Sequence, residues 1–270
     1  MDKSAIGERM KQNYEEIAKT KLYRRTPVIV RCDGRSFHQY TKGFERPFDD
    51  VLVKSMQDTM KYLCENVQGT KIGYVQSDEI SLLLIDYDTF DTQAFFDNEV
   101  QKICSITASM ATLAFNKSFM SQWSDFLVDI DPKDVSEKAE LLRAYDKAVE
   151  KGAMFDSRCF NIPEDEVTNY FYWRQLDASR NSIQMVGQAN FSHKELHGKS
   201  CNMIQDMLYE EKGINWNDFP DHLKRGACCV RTASPDNPER QRWSIDVHIP
   251  VFKGEDRSYV ERLIEFPDPT

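Results

Sequence analysis

Two aspartates that follow apolar runs are the residues of this chain best placed to do chemistry. Asp33 comes after Pro27-Val28-Ile29-Val30-Arg31-Cys32, and Asp78 comes after Lys71-Ile72-Gly73-Tyr74-Val75-Gln76-Ser77. Mg2+ prefers carboxylate, carbonyl and water oxygens. Gly34 follows Asp33, and a glycine lets the backbone come close enough to a ligand for its carbonyl to join such a set. Together, Asp33, Gly34 and Asp78 would hold two divalent cations and leave positions for triphosphate oxygens. Ions so placed activate an attacking hydroxyl and stabilise a leaving group. Ser77 could donate to a phosphate oxygen, Arg46 or Lys102 could neutralise phosphate charge, and His38 could face the nucleotide. Taken singly, Asp33-Gly34 and Ser77-Asp78 are also ordinary turn formers. Their value as a site depends on a fold that joins them.

The order of elements supplies one. Ile6, Met10, Tyr14 and Ile17 recur at helical spacing and predict a helix over 3–21. Residues 27–32 read as a buried strand. Phe48, Val51, Leu52, Ser55, Met56, Thr59, Met60 and Leu63 form one helical stripe. A strand at about 70–77 and another at 80–85 leave room only for a tight turn at Ser77-Asp78-Glu79. A helix over 93–120 follows, then a strand candidate at 154–162. Strand, helix, strand, strand, helix, strand is the ferredoxin-like α+β pattern, an antiparallel sheet with helices on one face. Right-handed crossover makes the first two strands parallel, with the third inserted between them. The end of strand one and the hairpin then share a sheet edge, with neighbouring strands about 4.8 Å apart. Alternation directs Glu79 to the opposite face, in a structural role.

The mixed-charge stretch 125–151 reads as an exposed helical insertion, and 163–212 as helical with a break at Ser192. From 232 onward Pro235, Pro238, Pro250, Pro267 and Pro269 predict irregular chain with one short strand at 243–249. The expected division is a first part of the core over 1–135, an insertion over 136–152, and the last core strand with a helical region over 153–270.

A formal net charge of −9 argues against indiscriminate nucleic-acid binding. It leaves room for local patches at Lys19, Lys21, Arg24 and Arg25, and at Lys224, Arg225 and Arg231. Seven scattered cysteines without a C-x-x-C pair read as free thiols, not a zinc or disulfide framework. No apolar run approaches the roughly 20 residues that span a bilayer, and the charged N-terminus lacks a signal-peptide core. The expectation is a cytoplasmic protein. His193-Lys194-Glu195-Leu196-His197 has two histidines at i and i+4 but is not H-E-x-x-H, and no third zinc ligand is evident. P-loop, Rossmann and serine-hydrolase motifs are absent from the sequence.

The segments VIVRCDGRSFHQYTKGFERPFD, GYVQSDEISLLL, MFDSRCFNIP, NYFYWRQLDASRNSI and INWNDFPDHLKRG occur in this order. They resemble the tRNA-His guanylyltransferase family over about residues 5–231. The resemblance implies a palm-like catalytic core and addition of nucleotides to the 5′ end of tRNA in the 3′-to-5′ direction. ATP would activate the 5′-phosphate, and the 3′-hydroxyl of a GTP or other NTP would then attack it, with two Mg2+ assisting. Asp33 and Asp78 match the family's metal-binding carboxylates, and Gly34 its backbone ligand. Ser77 and Lys102 match phosphate-contacting positions, and Arg46 falls where the family often has Lys. Arg31, Arg35, Ser36, Phe37 and His38 belong to the same nucleotide-binding motif. Asp156, Arg158, Arg174, Gln175, Asp177 and Asn181 match further motif positions. The resemblance also implies a homotetramer, with no membrane or DNA partner.

One stretch departs from the family. Where guanylyltransferases proper carry H-I-N-N-L-Y-N, this chain has Ser179-Arg180-Asn181-Ser182-Ile183-Gln184-Met185. That resembles the guanylyltransferase-like branch, which rebuilds truncated tRNA 5′ ends by copying the opposite strand. Untemplated guanylate addition to tRNA-His, a palm-like nucleotidyl cyclase and a non-catalytic RNA-binding module are the alternatives. A cyclase would make product from NTP without RNA. A binding module would hold tRNA without transferring label.

Overall fold

The computed structural model describes residues 5–234 and 236–265. Its centre is a sheet of β1 (Val28–Gly34), β2 (Thr70–Gln76), β3 (Glu79–Leu84), β4 (Phe155–Asn161), β5 (Ala227–Ser234) and β6 (Asn237–Asp246). The strand order is β4-β1-β3-β2-β5-β6, and each neighbouring pair is antiparallel. The first four strands have the expected ferredoxin-like order, with β3 between the parallel β1 and β2.

Short helices α1 (Ala5–Met10) and α2 (Phe37–Tyr40) flank β1, and α3 (Asp50–Asn66) connects β1 to β2. Asp49 caps α3 by accepting the Leu52 N–H at 2.9 Å, which fixes where that helix begins. The long α4 (Val100–Asp129) and α5 (Ala139–Lys151) lead to β4. Val30, Cys32, Ile80 and Leu82 pack on one face of the sheet against Met60 of α3 and Ile103 and Phe115 of α4. An aromatic cluster of Phe37, Tyr40, Phe44, Phe119 and Tyr145 extends this core.

The opposite face is covered by α6 (Glu164–Asn190): Val167 and Phe171 meet Ile29, Leu83, Tyr74 and Cys228. The crossover helices thus take one face, as the pattern requires, and the C-terminal region takes the other. Coverage of both faces is why every residue of β3 is buried and why its sequence shows no polar alternation. Beyond the sheet, α6 continues past α7 (His193–Leu196), α8 (Cys201–Lys212) and α9 (Asp221–Arg225), with α10 (Ser258–Glu261) near the end. Gly187 allows the close approach of α6 to α8, since a Cβ there would lie 2.8 Å from Ile204 Cγ2.

Three expectations are corrected. The N-terminal helix is shorter than 3–21: α1 passes into a π-type turn at Lys11–Glu15, and Ile6, Met10, Tyr14 and Ile17 stand exposed (residues 3 and 4 lie outside the described residues). The 125–151 stretch is not simply an exposed insertion, because α5 buries Leu141, Tyr145 and Ala148. The tail is not irregular from 232, because β5 and β6 form a long hairpin there; Pro235, Pro267 and Pro269 lie outside the described residues.

Candidate active site

β1 ends at Asp33-Gly34, and the β2–β3 hairpin turns at Ser77-Asp78. The two tips meet: the Gly34 N–H donates to the Asp78 carbonyl at 3.0 Å. Ser77 is in the left-handed region at φ 49° and Ser36 at φ 56°, a costly backbone state for a serine. Gly34 is required for a packing reason as well, since a Cβ there would lie 2.3 Å from the Phe37 ring.

The Asp78 carboxyl accepts from Ser77 Oγ at 3.1 Å. Burial pushes it above the usual carboxylate range, and the charge of Asp33 adds to that push. A cation shared with Asp33 would relieve both effects, so the donor set fits Mg2+. Among the described residues no cluster of three or more His, Cys, Asp or Glu exists for a metal. The remaining ligands would be the Gly34 carbonyl, substrate phosphate and water.

Asp156 is the cross-strand partner of Asp33 on the other side. Arg158 lies between them, with Nη2 2.8 Å from Asp156 Oδ1 and 3.8 Å from Asp33 Oδ2. Glu79, expected on the far face, is instead the cross-strand partner of Asp33 and shares its face. Its role is structural, however. Arg174 of α6 donates to both its oxygens, Nε at 2.7 Å and Nη2 at 2.8 Å, and also to Asp177 at 2.9 Å. Burial pushes the Glu79 carboxyl up, against the pull of Arg174 and then Arg31.

A cleft of about 550 Å3 opens beside the tips, bordered by Gly34, Ser36, His38, Arg46, Ser77 and Asp78. Phe37 also borders it but is chiefly a core residue. The sequence gives no functional signal for Asp49, which lines this cleft from beneath Arg46 in chain order. Its carboxylate accepts from Tyr145 Oη at 2.6 Å and from the Leu52 and Glu45 N–H groups, while burial pushes its pKa up. An adjoining pocket shares Asp49, Leu52, Ser77 and Met185 with the cleft and is lined further by Asn181 and Ser182. The stretch that departs from the family motif therefore faces the site.

Other candidates are held elsewhere. Lys102 is exposed, lies 3.6 Å from Glu99, and does not border the cleft. Packing of Thr107 on Ser157 and Thr112 on Phe155 sets it roughly 10 Å along α4 from the level of Asp156. Arg31 points toward Glu79 at 3.9 Å, and Arg35 is exposed outside the cleft lining. Lys21 pairs with Asp97, and Arg24 with Asp86 at 2.6 Å. The Arg25 N–H also donates to Asp86, and Lys19 is half-buried. Lys224 and Arg225 pair with Asp221. Gln175 ties α6 to the tail through the Pro250 carbonyl and the Phe252 N–H. Lys21, Arg24, Lys224 and Arg225, as well as Arg174 and Gln175, thus have internal structural partners. Among the described residues no helix is long and apolar enough to cross a membrane.

Residues 7–163 match the family model described as tRNAHis guanylyltransferase. The fold superposes on a bacterial tRNA(His) guanylyltransferase-like protein in complex with ATP, with TM-score 0.81 and 44% identity, over 97% of this chain and 100% of that one. A second such bacterial structure, in complex with GTP, gives TM-score 0.75 and 42% identity over 97% and 99%. The tRNA(His) guanylyltransferase of Saccharomyces cerevisiae is 25% identical over 218 residues, 76% of this chain and 82% of the yeast protein. A match over more than half of the chain, at a site with paired strand-tip carboxylates, decides the assignment: the chain belongs to the tRNA-His guanylyltransferase family and is a nucleotidyltransferase.

Proposed function

We infer that the protein joins nucleotides to the 5′ end of tRNA, with ATP as activator and GTP or another NTP as donor. The observation that carries this reading is the Gly34 N–H to Asp78 carbonyl bond, which sets the strand tips bearing Asp33 and Asp78 side by side, next to a cleft of about 550 Å3 that Gly34 and Asp78 line. The ATP and GTP complexes of the similar bacterial proteins support the choice of substrates. In the first step a 5′-phosphate oxygen of the RNA attacks the α-phosphorus of ATP, and pyrophosphate leaves. In the second, the 3′-hydroxyl of the incoming nucleotide attacks the activated 5′-phosphorus, and AMP leaves. Mg2+ held by Asp33, Asp78 and the Gly34 carbonyl would offset charge on the phosphoryl oxygens. Arg46 neutralises triphosphate, and Ser77 Oγ donates either to it or to Asp78. Asp49, fixed by three hydrogen bonds, offers a preset acceptor at the cleft wall.

The names of the curated relatives favour guanylate addition to tRNA-His. A second reading, templated repair of truncated 5′ ends, is favoured by one observation. Asn181, Ser182 and Met185 of the departing stretch line the pocket beside the tips, where they would touch whatever base lies there. Full-length and 5′-truncated tRNAs, each offered single NTPs, separate the two. Addition of G irrespective of the opposing base is the result expected of a guanylyltransferase. Addition only of the complementary base establishes templating, and no transfer from any NTP refutes both.

The tetramer implied by the family resemblance also belongs to this reading. Ile106, Leu113, Met120 and Leu127 recur every seven residues on α4 and are 39–52% exposed, an apolar stripe suited to a second copy. Sedimentation equilibrium is expected to give the mass of four chains, and a monomer would refute it.

A further inference from the structure

The His193–His197 segment lacks the ligands of a zinc site, yet it forms one wall of a recess of about 520 Å3. The other polar walls are Arg46, Gln184, Gln188 and Lys199, and no carboxylate lines the recess. Its floor is apolar, formed by Phe191, Leu196 and Ile204. Arg46 and Gln188 also border the cleft at Asp78, so the two spaces adjoin.

Several of the protein's other basic residues are neutralised by acids. Arg158 and Arg174 are paired with carboxylates, as are Lys21, Arg24, Lys224 and Arg225. Among the described residues neither Arg46 nor Lys199 has a carboxylate within ion-pair distance. The nearby acid, Glu195, is turned away: it accepts from both the N–H and Oγ of Ser192 in a capping box. In a chain of net charge −9, unpaired cations gathered with two imidazoles and two amides around one cavity mark an anion site. Six polar side chains line the recess, enough to serve more than one phosphate. The apolar floor suits a sugar or base between them.

We propose that this recess holds the sugar–phosphate backbone of the RNA strand next to its reacting 5′ end, with Lys199, His193 and His197 contacting phosphates, Gln184 and Gln188 the ribose, and Arg46 at the junction with the triphosphate cleft. This rests on the reading that the protein acts on RNA. It assigns a task to the H-K-E-L-H segment that the strand-tip chemistry leaves unused. It also gives the acidic protein a local path for a polyanion leading from Asp78 past Arg46.

The test is binding of a 5′-phosphorylated acceptor-stem hairpin to the full-length protein across a salt series, alongside Mg–ATP affinity without RNA. Lys199→Gln is expected to weaken RNA binding about fivefold or more and to lower the slope of log K against log salt by about 1. Gln184→Glu, which puts a carboxylate into the recess, is expected to weaken RNA binding about tenfold or more. Both residues are exposed, so neither substitution disturbs the core. Mg–ATP affinity is expected to stay within about twofold of wild type for both. Unchanged RNA affinity and salt slope in both variants would overturn the proposal while leaving the nucleotidyltransferase reading intact. Loss of ATP affinity with RNA binding preserved would overturn it in favour of a triphosphate site. A wild-type protein that binds no RNA at low salt would overturn the underlying reading as well.

Discussion

Asp78→Asn is expected to reduce nucleotide transfer to tRNA by about a thousandfold or more, because an amide cannot hold a cation against triphosphate at a strand tip. The same substitution is expected to leave the free protein at least as stable as wild type. The sign follows from linkage. Burial and Asp33 raise the Asp78 carboxyl above its usual range in the folded state, so the folded protein binds that proton more tightly than the unfolded chain does. The carboxylate form therefore opposes folding, and wild-type stability falls as pH rises through this titration. Asn has no such titration. Thermal unfolding of D78N at neutral pH should show an unchanged or higher midpoint, together with a flatter pH profile. A large drop in midpoint would mean that Asp78 is a structural residue, and transfer at near wild-type rate would remove it from the chemistry.

Arg174→Met is expected to have the largest effect on stability. Glu79 and Arg174 are both buried, joined by two hydrogen bonds, and the guanidinium lies 4.5 Å from the Trp173 ring centroid. Without Arg174, Glu79 is left beneath α6 with only Arg31 near it, at 3.9 Å. Breaking one side of such a pair costs about 3–5 kcal/mol, since it leaves an uncompensated buried charge. Urea unfolding at constant m-value reads that loss as a shift of midpoint. Adding Glu79→Met to the single variant should recover about half of it or more, because an apolar pair avoids the desolvation cost. A single-variant loss below about 1 kcal/mol would show that water reaches the pair. Transfer activity should also fall in R174M, since Glu79 is adjacent to Asp78 and opposite Asp33.

The parts of this arrangement that a linear reading reveals are those set by local pattern and topology. Residues 27–32 and 80–85 are apolar runs of strand length, the stripe through Val51, Met56, Met60 and Leu63 is helical, and handedness then brings strand ends 45 positions apart in sequence to one edge. The Gly34 N–H to Asp78 carbonyl bond is the physical form of that inference. What stays hidden depends on partners distant in sequence. Arg24 looks like part of a free basic patch until Asp86 is found beside it, and Arg174 looks available for RNA until α6 lays it on Glu79. The outer β5–β6 hairpin is obscure for a different reason. Residues 231–233 and 239–242 are exposed, so no buried face imposes apolar alternation on them. The charge-rich sequence near α5 likewise hides Tyr145, which is 1% exposed and hydrogen-bonded to Asp49.

The central claim is that Asp33 and Asp78 jointly hold the cations that handle the triphosphate. Equilibrium binding of Mn2+, read by electron paramagnetic resonance with a non-hydrolysable ATP analogue bound to the full-length protein, tests it most directly. The account predicts two tightly held ions per chain in wild type and loss of tight binding in both Asp33→Ala and Asp78→Ala. Undiminished Mn2+ binding in both variants would contradict it.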